Sequence, residues 1–126
     1  MLVDDHAVVR EGYRRLIEKH GGIEVVAEAS DAVSAYLAYK NTRPEVVVMD
    51  ISIPGRGGID AVRQIRQWDP AAKILMFTMH ANAAYALQAF RAGAKGYVTK
   101  SSAPELLISA VKSVAAGRPA LCPEIS

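Results

Sequence analysis

The chain has 126 residues, 51% of them apolar, and 15 Lys and Arg stand against 13 Asp and Glu for a net charge of +2. That length and composition fit one domain whose core needs no staples, and the charge balance does not by itself argue for a nucleic-acid surface. The single cysteine, Cys122, excludes an internal disulfide, no apolar run reaches the ~20 residues of a membrane span, and no charged-then-apolar leader stands at the start, so a soluble cytoplasmic domain without membrane contact is expected.

The opening stretch MLVDDH sets a very short apolar strand before two adjacent carboxylates, Asp4 and Asp5. Residues 7–20 then place Val8, Val9, Tyr13, Leu16 and Ile17 along one helical face, and the glycine pair 21–22 can end that helix. IEVVAEA (23–29) has the β-branched content of a second strand. Ser30 or Asp31 can cap the helix AVSAYLAYK, which must stop before Pro44. EVVVM (45–49) and KILMF (73–77) are short apolar runs suited to strands buried on both faces. Between them GIDAVRQIRQW sets Ile59, Val62, Ile65 and Arg66 at helical spacing, with Pro70 following. NAAYALQAFRAG is an alanine-rich helix stopped by Gly93, and KGYVT (95–99) is a fifth strand. APELLISAVKSVAAG has Pro104 near its first turn and Gly117 at its end. The tail RPALCPEIS, with two prolines, breaks the pattern, so a domain over 1–117 and the beginning of a linker over 118–126 are expected.

Five strands alternating with five helices argue for an α/β fold of right-handed βαβ crossovers and a doubly wound parallel sheet. In such a sheet ligands bind at the carboxyl ends of the strands, where the strand order reverses. The residues that follow the apolar runs are Asp4 and Asp5, Asp50, Thr78 and Lys100. Two carboxylates converging on one cleft repel by roughly 4 kcal/mol at ~4 Å and intermediate dielectric, which a divalent cation would offset. Asp5 and Asp50 can offer oxygens to Mg²⁺. Asp50 can act as a nucleophile toward phosphorus, and Lys100 and Thr78 can neutralise and hydrogen-bond phosphoryl oxygens. Each residue alone has a plain alternative, as a turn or helix cap, a β-former or a solvated lysine. Their position at the same end of successive strands favours a shared site.

The acidic pair, the loop MDISIPGRGGID, the FT ending the fourth strand and AGAKGYVTK together resemble the receiver domain of bacterial two-component response regulators. The VDDH start, FTMH and AGAKGYVTK further resemble the NarL/FixJ-type subgroup, whose receivers precede a LuxR-type helix-turn-helix domain. The resemblance covers essentially the whole chain. It implies a flavodoxin-like (CheY-like) five-stranded sheet of strand order 2-1-3-4-5, with Asp50 as phosphoacceptor. It further implies Mg²⁺ held by Asp4, Asp5 and Asp50, with Asp5 the more direct ligand, and by the backbone carbonyl of Ser52. Thr78 would be the switch hydroxyl, Tyr97 the aromatic that changes rotamer with it, and Lys100 the partner of the phosphoryl group, while Pro54 and Gly58 would shape the loop. A sensor histidine kinase would be the donor, phosphorylation would promote a homodimer, and DNA would be reached only through a C-terminal domain absent here. The chain would take up and lose its own phosphoryl group rather than turn over a substrate.

Four features depart from the family pattern. Ser101 follows Lys100 where many receivers have proline. Met79 follows Thr78 where a small residue is common, so it would narrow the site or pack. Ser52 and His80 sit near the phosphate without offering a carboxylate to orient water. The first strand is several residues shorter than usual, as a trimmed or misplaced start would leave it. His6 is expected to begin a helix rather than bind metal, and His20 and His80 have no zinc-spaced partners. PGRGG lacks the nucleotide-binding glycine patterns. Arg14, Arg15 and Lys19 are expected on a solvated face, and Arg91 and Lys95 lie with Tyr97 on the face many receivers use for output. Two rival classes remain: a haloacid-dehalogenase-type phosphatase, which needs an aspartate where Ser52 stands, and a stand-alone or degenerate receiver acting as an interaction module, which need not retain all five site residues.

Overall fold

The computed structural model describes residues 1–123, in which strands and helices alternate throughout. The elements are β1 (Leu2–Val3), α1 (Ala7–Gly21), β2 (Glu28–Ala29), α2 (Ala32–Thr42), β3 (Val47–Met49), α3 (Gly58–Trp68), β4 (Ile74–Thr78), α4 (Ala83–Ala92), β5 (Gly96–Thr99), α5 (Pro104–Ala115) and β6 (Ala120–Leu121). All pair in parallel in one sheet of order β2-β1-β3-β4-β5-β6. The first five strands have the expected order, and the order reverses at β1.

The sheet is buried on both faces, and the period of two sorts its side chains. Val47, Met49, Ile74, Met76 and Tyr97 face a core shared with Ala35 and Tyr39 of α2, Val62 and Ile65 of α3, and Ala89 of α4. Val48, Leu75, Phe77 and Val98 face the other way, onto Ile17 of α1 and Leu107, Val111 and Val114 of α5. This explains why EVVVM and KILMF show no apolar–polar alternation.

Local chemistry sets the helix ends. Asp31 accepts from Ser34 N–H at 2.7 Å, and the Ser34 hydroxyl faces back to Asp31 N–H, a reciprocal cap for α2. Gly22 closes α1 at φ 64°, in the left-handed region where glycine carries no Cβ penalty.

Three expectations need correction. Among the described residues the sheet has six strands, not five. After α5 the chain turns at Gly117 and returns, so that Ala120 and Leu121 pair with Gly96 and Tyr97. Cys122 N–H donates to Tyr97 O at 3.1 Å, and the Cys122 side chain is wholly buried. Pro119 and Pro123 flank this pairing, where a missing N–H costs nothing, and the strand covers the otherwise open edge of β5. Folded chain thus runs through most of the stretch expected as linker; its remainder, 124–126, lies outside the described residues. Second, β2 pairs over Glu28–Ala29 rather than 23–29, because β1 offers only Leu2 and Val3 as partners. Third, Val8 is 86% exposed, whereas Ile17 and Gly21 are buried. The helix begins at the carboxyl rim, so only its later turns lie over the strands and against α5.

Candidate functional site

The site is assembled by strand ends. Asp50 N–H donates to Val3 O at 3.1 Å and Asp4 N–H to Ala29 O at 3.1 Å, so the sheet ladder itself sets both residues side by side at the rim. Lys100 comes from the far side of β4: its N–H donates to Thr78 O at 2.8 Å, just after β5. Its Nζ donates to Asp4 Oδ2 at 2.5 Å and to Asp50 Oδ2 at 2.9 Å. The three side chains are only 6–8% exposed. The other oxygen of each carboxylate accepts a backbone N–H, from His6 at 2.9 Å for Asp4 and from Ser52 at 3.2 Å for Asp50.

Burial pulls the Lys100 ammonium down, but its hydrogen bonds and charge interactions with Asp4 and Asp50 more than reverse this, and the net shift is upward. The lysine therefore stays charged at neutral pH. It is one positive charge against three carboxylates, because Asp5 stands on the rim with its side chain 30% exposed and its Oδ1 3.0 Å from His6 Nδ1. Asp4, Asp5 and His6 can each bring a ligand atom within 4.8 Å of the others. His6 is also the residue that begins α1, as expected from the sequence.

The loop after β3 is held by glycine. A Cβ on Gly58 would lie 2.0 Å from Asp50 O, so no other residue fits there without moving the Asp50 backbone. Gly58 N–H donates to Ile51 O at 2.8 Å, and Pro54 O accepts from Ala32 N–H at 3.2 Å, tying the loop to α2.

Thr78 is fully buried at the end of β4, and its Oγ1 accepts from His80 N–H at 3.4 Å. Tyr97 is also fully buried and donates through its hydroxyl to His80 O at 2.6 Å. Burial, with the influence of Cys122, Asp50 and Tyr85, pushes its phenol up to about 12. Ser52 Oγ lies 2.7 Å from His80 Nε2, and the His80 ring stands 4.9 Å from that of Tyr85. Met79 is 71% exposed and so does not pack into the core. The Lys100–Ser101 bond is trans.

The residues singled out from sequence therefore divide into groups. Asp4, Asp50 and Lys100 bond directly; Asp5 joins them at the rim; Thr78, Tyr97 and Ser52 converge on His80. Sequence reasoning missed Arg10 and Glu28. Arg10 donates to the Asp4 backbone carbonyl at 2.6 Å and to Glu28 at 2.8 Å, and Arg14, expected on a solvated face, reaches Glu28 at 2.5 Å. Burial pushes the Glu28 carboxyl up, but its hydrogen bonds and ion pairs to the two arginines win, and the net shift is downward. No motif signals this cluster, because its partners lie in separate elements.

A parallel sheet with a buried carboxylate–ammonium–carboxylate group at its carboxyl rim defines a flavodoxin-like domain with an anionic, oxygen-rich site. The chain belongs to the response regulator receiver domain family, whose pattern it matches over residues 1–112. It is 40% identical over 126 residues to the response regulator UvrY of Escherichia coli K12, covering all of this chain and 58% of that protein. It is 41% identical over 118 residues to the oxygen regulatory protein NreC of Staphylococcus epidermidis RP62A, covering 93% of this chain and 54% of that one. The chain thus spans little more than half the length of these relatives. Its fold matches a LuxR-family two-component response regulator from Aurantimonas sp. SI85-9A1 at TM-score 0.96 and 62% identity, covering 99% of this chain and 89% of that one. It matches RcsB, seen as two dimers bound to two parallel DNAs, at TM-score 0.88 and 26% identity, covering 98% of this chain and 63% of that one. The relatives place the chain with the NarL/FixJ-type regulators.

Proposed function

We propose that Asp50 is the phosphoacceptor of a two-component signalling switch. The observation that carries this reading is the buried Lys100 ammonium bonded to both Asp4 and Asp50. One oxygen of Asp50 attacks the phosphorus of a donor, a histidine kinase phosphoimidazole or a small acyl phosphate. The new O–P bond forms as the donor's N–P or O–P bond breaks, and the electron pair leaves with the donor. Lys100 stabilises the charge on the transferring phosphoryl oxygens, and Thr78 offers its hydroxyl to one of them. The phosphoryl group carries about −1.5 to −2 in place of the single charge of the carboxylate, which redistributes the hydrogen bonds of both residues and biases the surface that Tyr97 underlies.

Asp4, Asp5 and Asp50, with the backbone carbonyl of Ser52, match the all-oxygen preference of Mg²⁺ and would hold it, and their charge exceeds what Lys100 neutralises. Bound there, the ion would supply positive charge toward phosphoryl oxygens. The phosphoryl group is taken up and lost by this chain without turnover of a separate substrate. We assign the chain to the cytoplasm; among the described residues no helix is long and apolar enough to cross a membrane. By analogy with UvrY, NreC and RcsB, the output is transcriptional, through a LuxR-type DNA-binding domain C-terminal to this receiver, and phosphorylation promotes a homodimer.

The test is intact mass after incubation with acetyl phosphate and Mg²⁺, with Asp50→Asn alongside. A gain of one phosphoryl group in the wild type alone supports the assignment. A gain in both proteins moves the acceptor elsewhere, and no gain in either sinks the switch.

A further inference from the structure

Three hydrogen bonds form a continuous path from the Asp50 carboxylate to the Tyr97 hydroxyl, and a fourth branches from it to Thr78. Ser52 N–H donates to Asp50 Oδ1 at 3.2 Å, and the Ser52 hydroxyl meets His80 Nε2 at 2.7 Å, one of that pair donating. His80 then acts through its backbone: its N–H donates to Thr78 Oγ1 at 3.4 Å, and its carbonyl accepts from the Tyr97 hydroxyl at 2.6 Å. The ring is steadied on its other side by Tyr85, 4.9 Å away between centroids. His80 therefore touches the loop after β3, the end of β4, β5 and α4 together.

We infer that His80 is a positioning residue, whose side chain, held by Ser52, sets the backbone carbonyl that keeps Tyr97 turned inward. The physical reason is local. A residue just past a strand end has few backbone restraints, so a side-chain bond across to a neighbouring loop fixes where its carbonyl points. The Ser52 N–H is bonded to the carboxylate that accepts the phosphoryl group, so a change at Asp50 is felt first at Ser52 and passes through the Ser52–His80 bond. This deepens the phosphoacceptor reading and rests on it for its regulatory meaning. The competing account is that burial alone holds Tyr97, which is fully enclosed by the core.

The test is ¹⁹F NMR of the unphosphorylated protein labelled with 3-fluorotyrosine. The chain has five tyrosines, and Tyr97→Phe identifies the Tyr97 resonance by its loss. Exposure of that resonance is read from broadening by a soluble paramagnetic agent. Ser52→Ala, which keeps the backbone of Ser52, and His80→Ala are each expected to lower the inward-to-outward ratio by about fivefold, the worth of one hydrogen bond. The double variant is expected to fall no further than either single one, because both remove the same bond. His80→Gln, which can place an amide near the Nε2 position, is expected to restore most of the inward population. Thermal melts of each variant confirm that the fold persists.

An unchanged Tyr97 resonance in both single variants overturns the inference and leaves burial as the cause. So do effects that add in the double variant. Because the measurement needs no phosphoryl group, its failure is distinct from failure of Asp50 to accept one.

Discussion

Replacing Lys100 by methionine removes the one ammonium between two buried carboxylates. Lys100, Asp4 and Asp50 are each under 10% exposed at the side chain, so water does not replace the lost partner. Each carboxylate loses a charge-assisted hydrogen bond, worth ~1.5–3 kcal/mol. Breaking a buried ion pair by removing one partner costs ~3–5 kcal/mol, and a destabilisation of that size is expected for Lys100→Met at pH 7. Urea unfolding of both proteins, followed by far-UV circular dichroism, measures this directly. A loss below ~1 kcal/mol at pH 7 would refute the buried-charge reasoning.

Gly58→Ala should destabilise by ~1–3 kcal/mol or more, the usual cost of overpacking, since its Cβ meets the Asp50 carbonyl; a melt indistinguishable from wild type contradicts that contact. For Asp31 the backbone and side-chain hydrogen bonds of Ser34 hold the carboxyl below its ordinary range. The stability it contributes is thus present above ~pH 4 and lost as pH falls through the depressed folded value. Asp31→Ala should therefore melt lower than wild type at pH 7, with the two converging in acid, and a gap that persists below pH 3 would count against the cap. Cys122, fully buried beneath β6, should react with Ellman's reagent only on the timescale of unfolding; rapid labelling of the native protein would show that β6 does not stay paired.

Much of this molecule was legible in the chain itself. The apolar runs at 45–49 and 73–77 announced buried strands, Gly93 and a cap at Ser30 or Asp31 marked helix ends, and the strand-end rule led to Asp4, Asp5, Asp50, Thr78 and Lys100. These are signals carried by neighbours a few residues apart, where periodicity and backbone preference act. The sixth strand was not legible, because a prolyl tail with two pairing residues has no period to detect, and only the open edge of β5 makes it a strand. Nor was the exposure of Val8, which follows from where α1 begins relative to the rim. The Arg10–Glu28–Arg14 cluster and the Ser52–His80 bond join residues 14 to 28 positions apart. Lys100 and Asp4 are 96 apart. Sequence alone determined which residues stand at the ends of the strands. Tertiary structure decided which of them touch, because a bond between distant residues depends on the orientation of whole elements packed against one another, and no local preference encodes that.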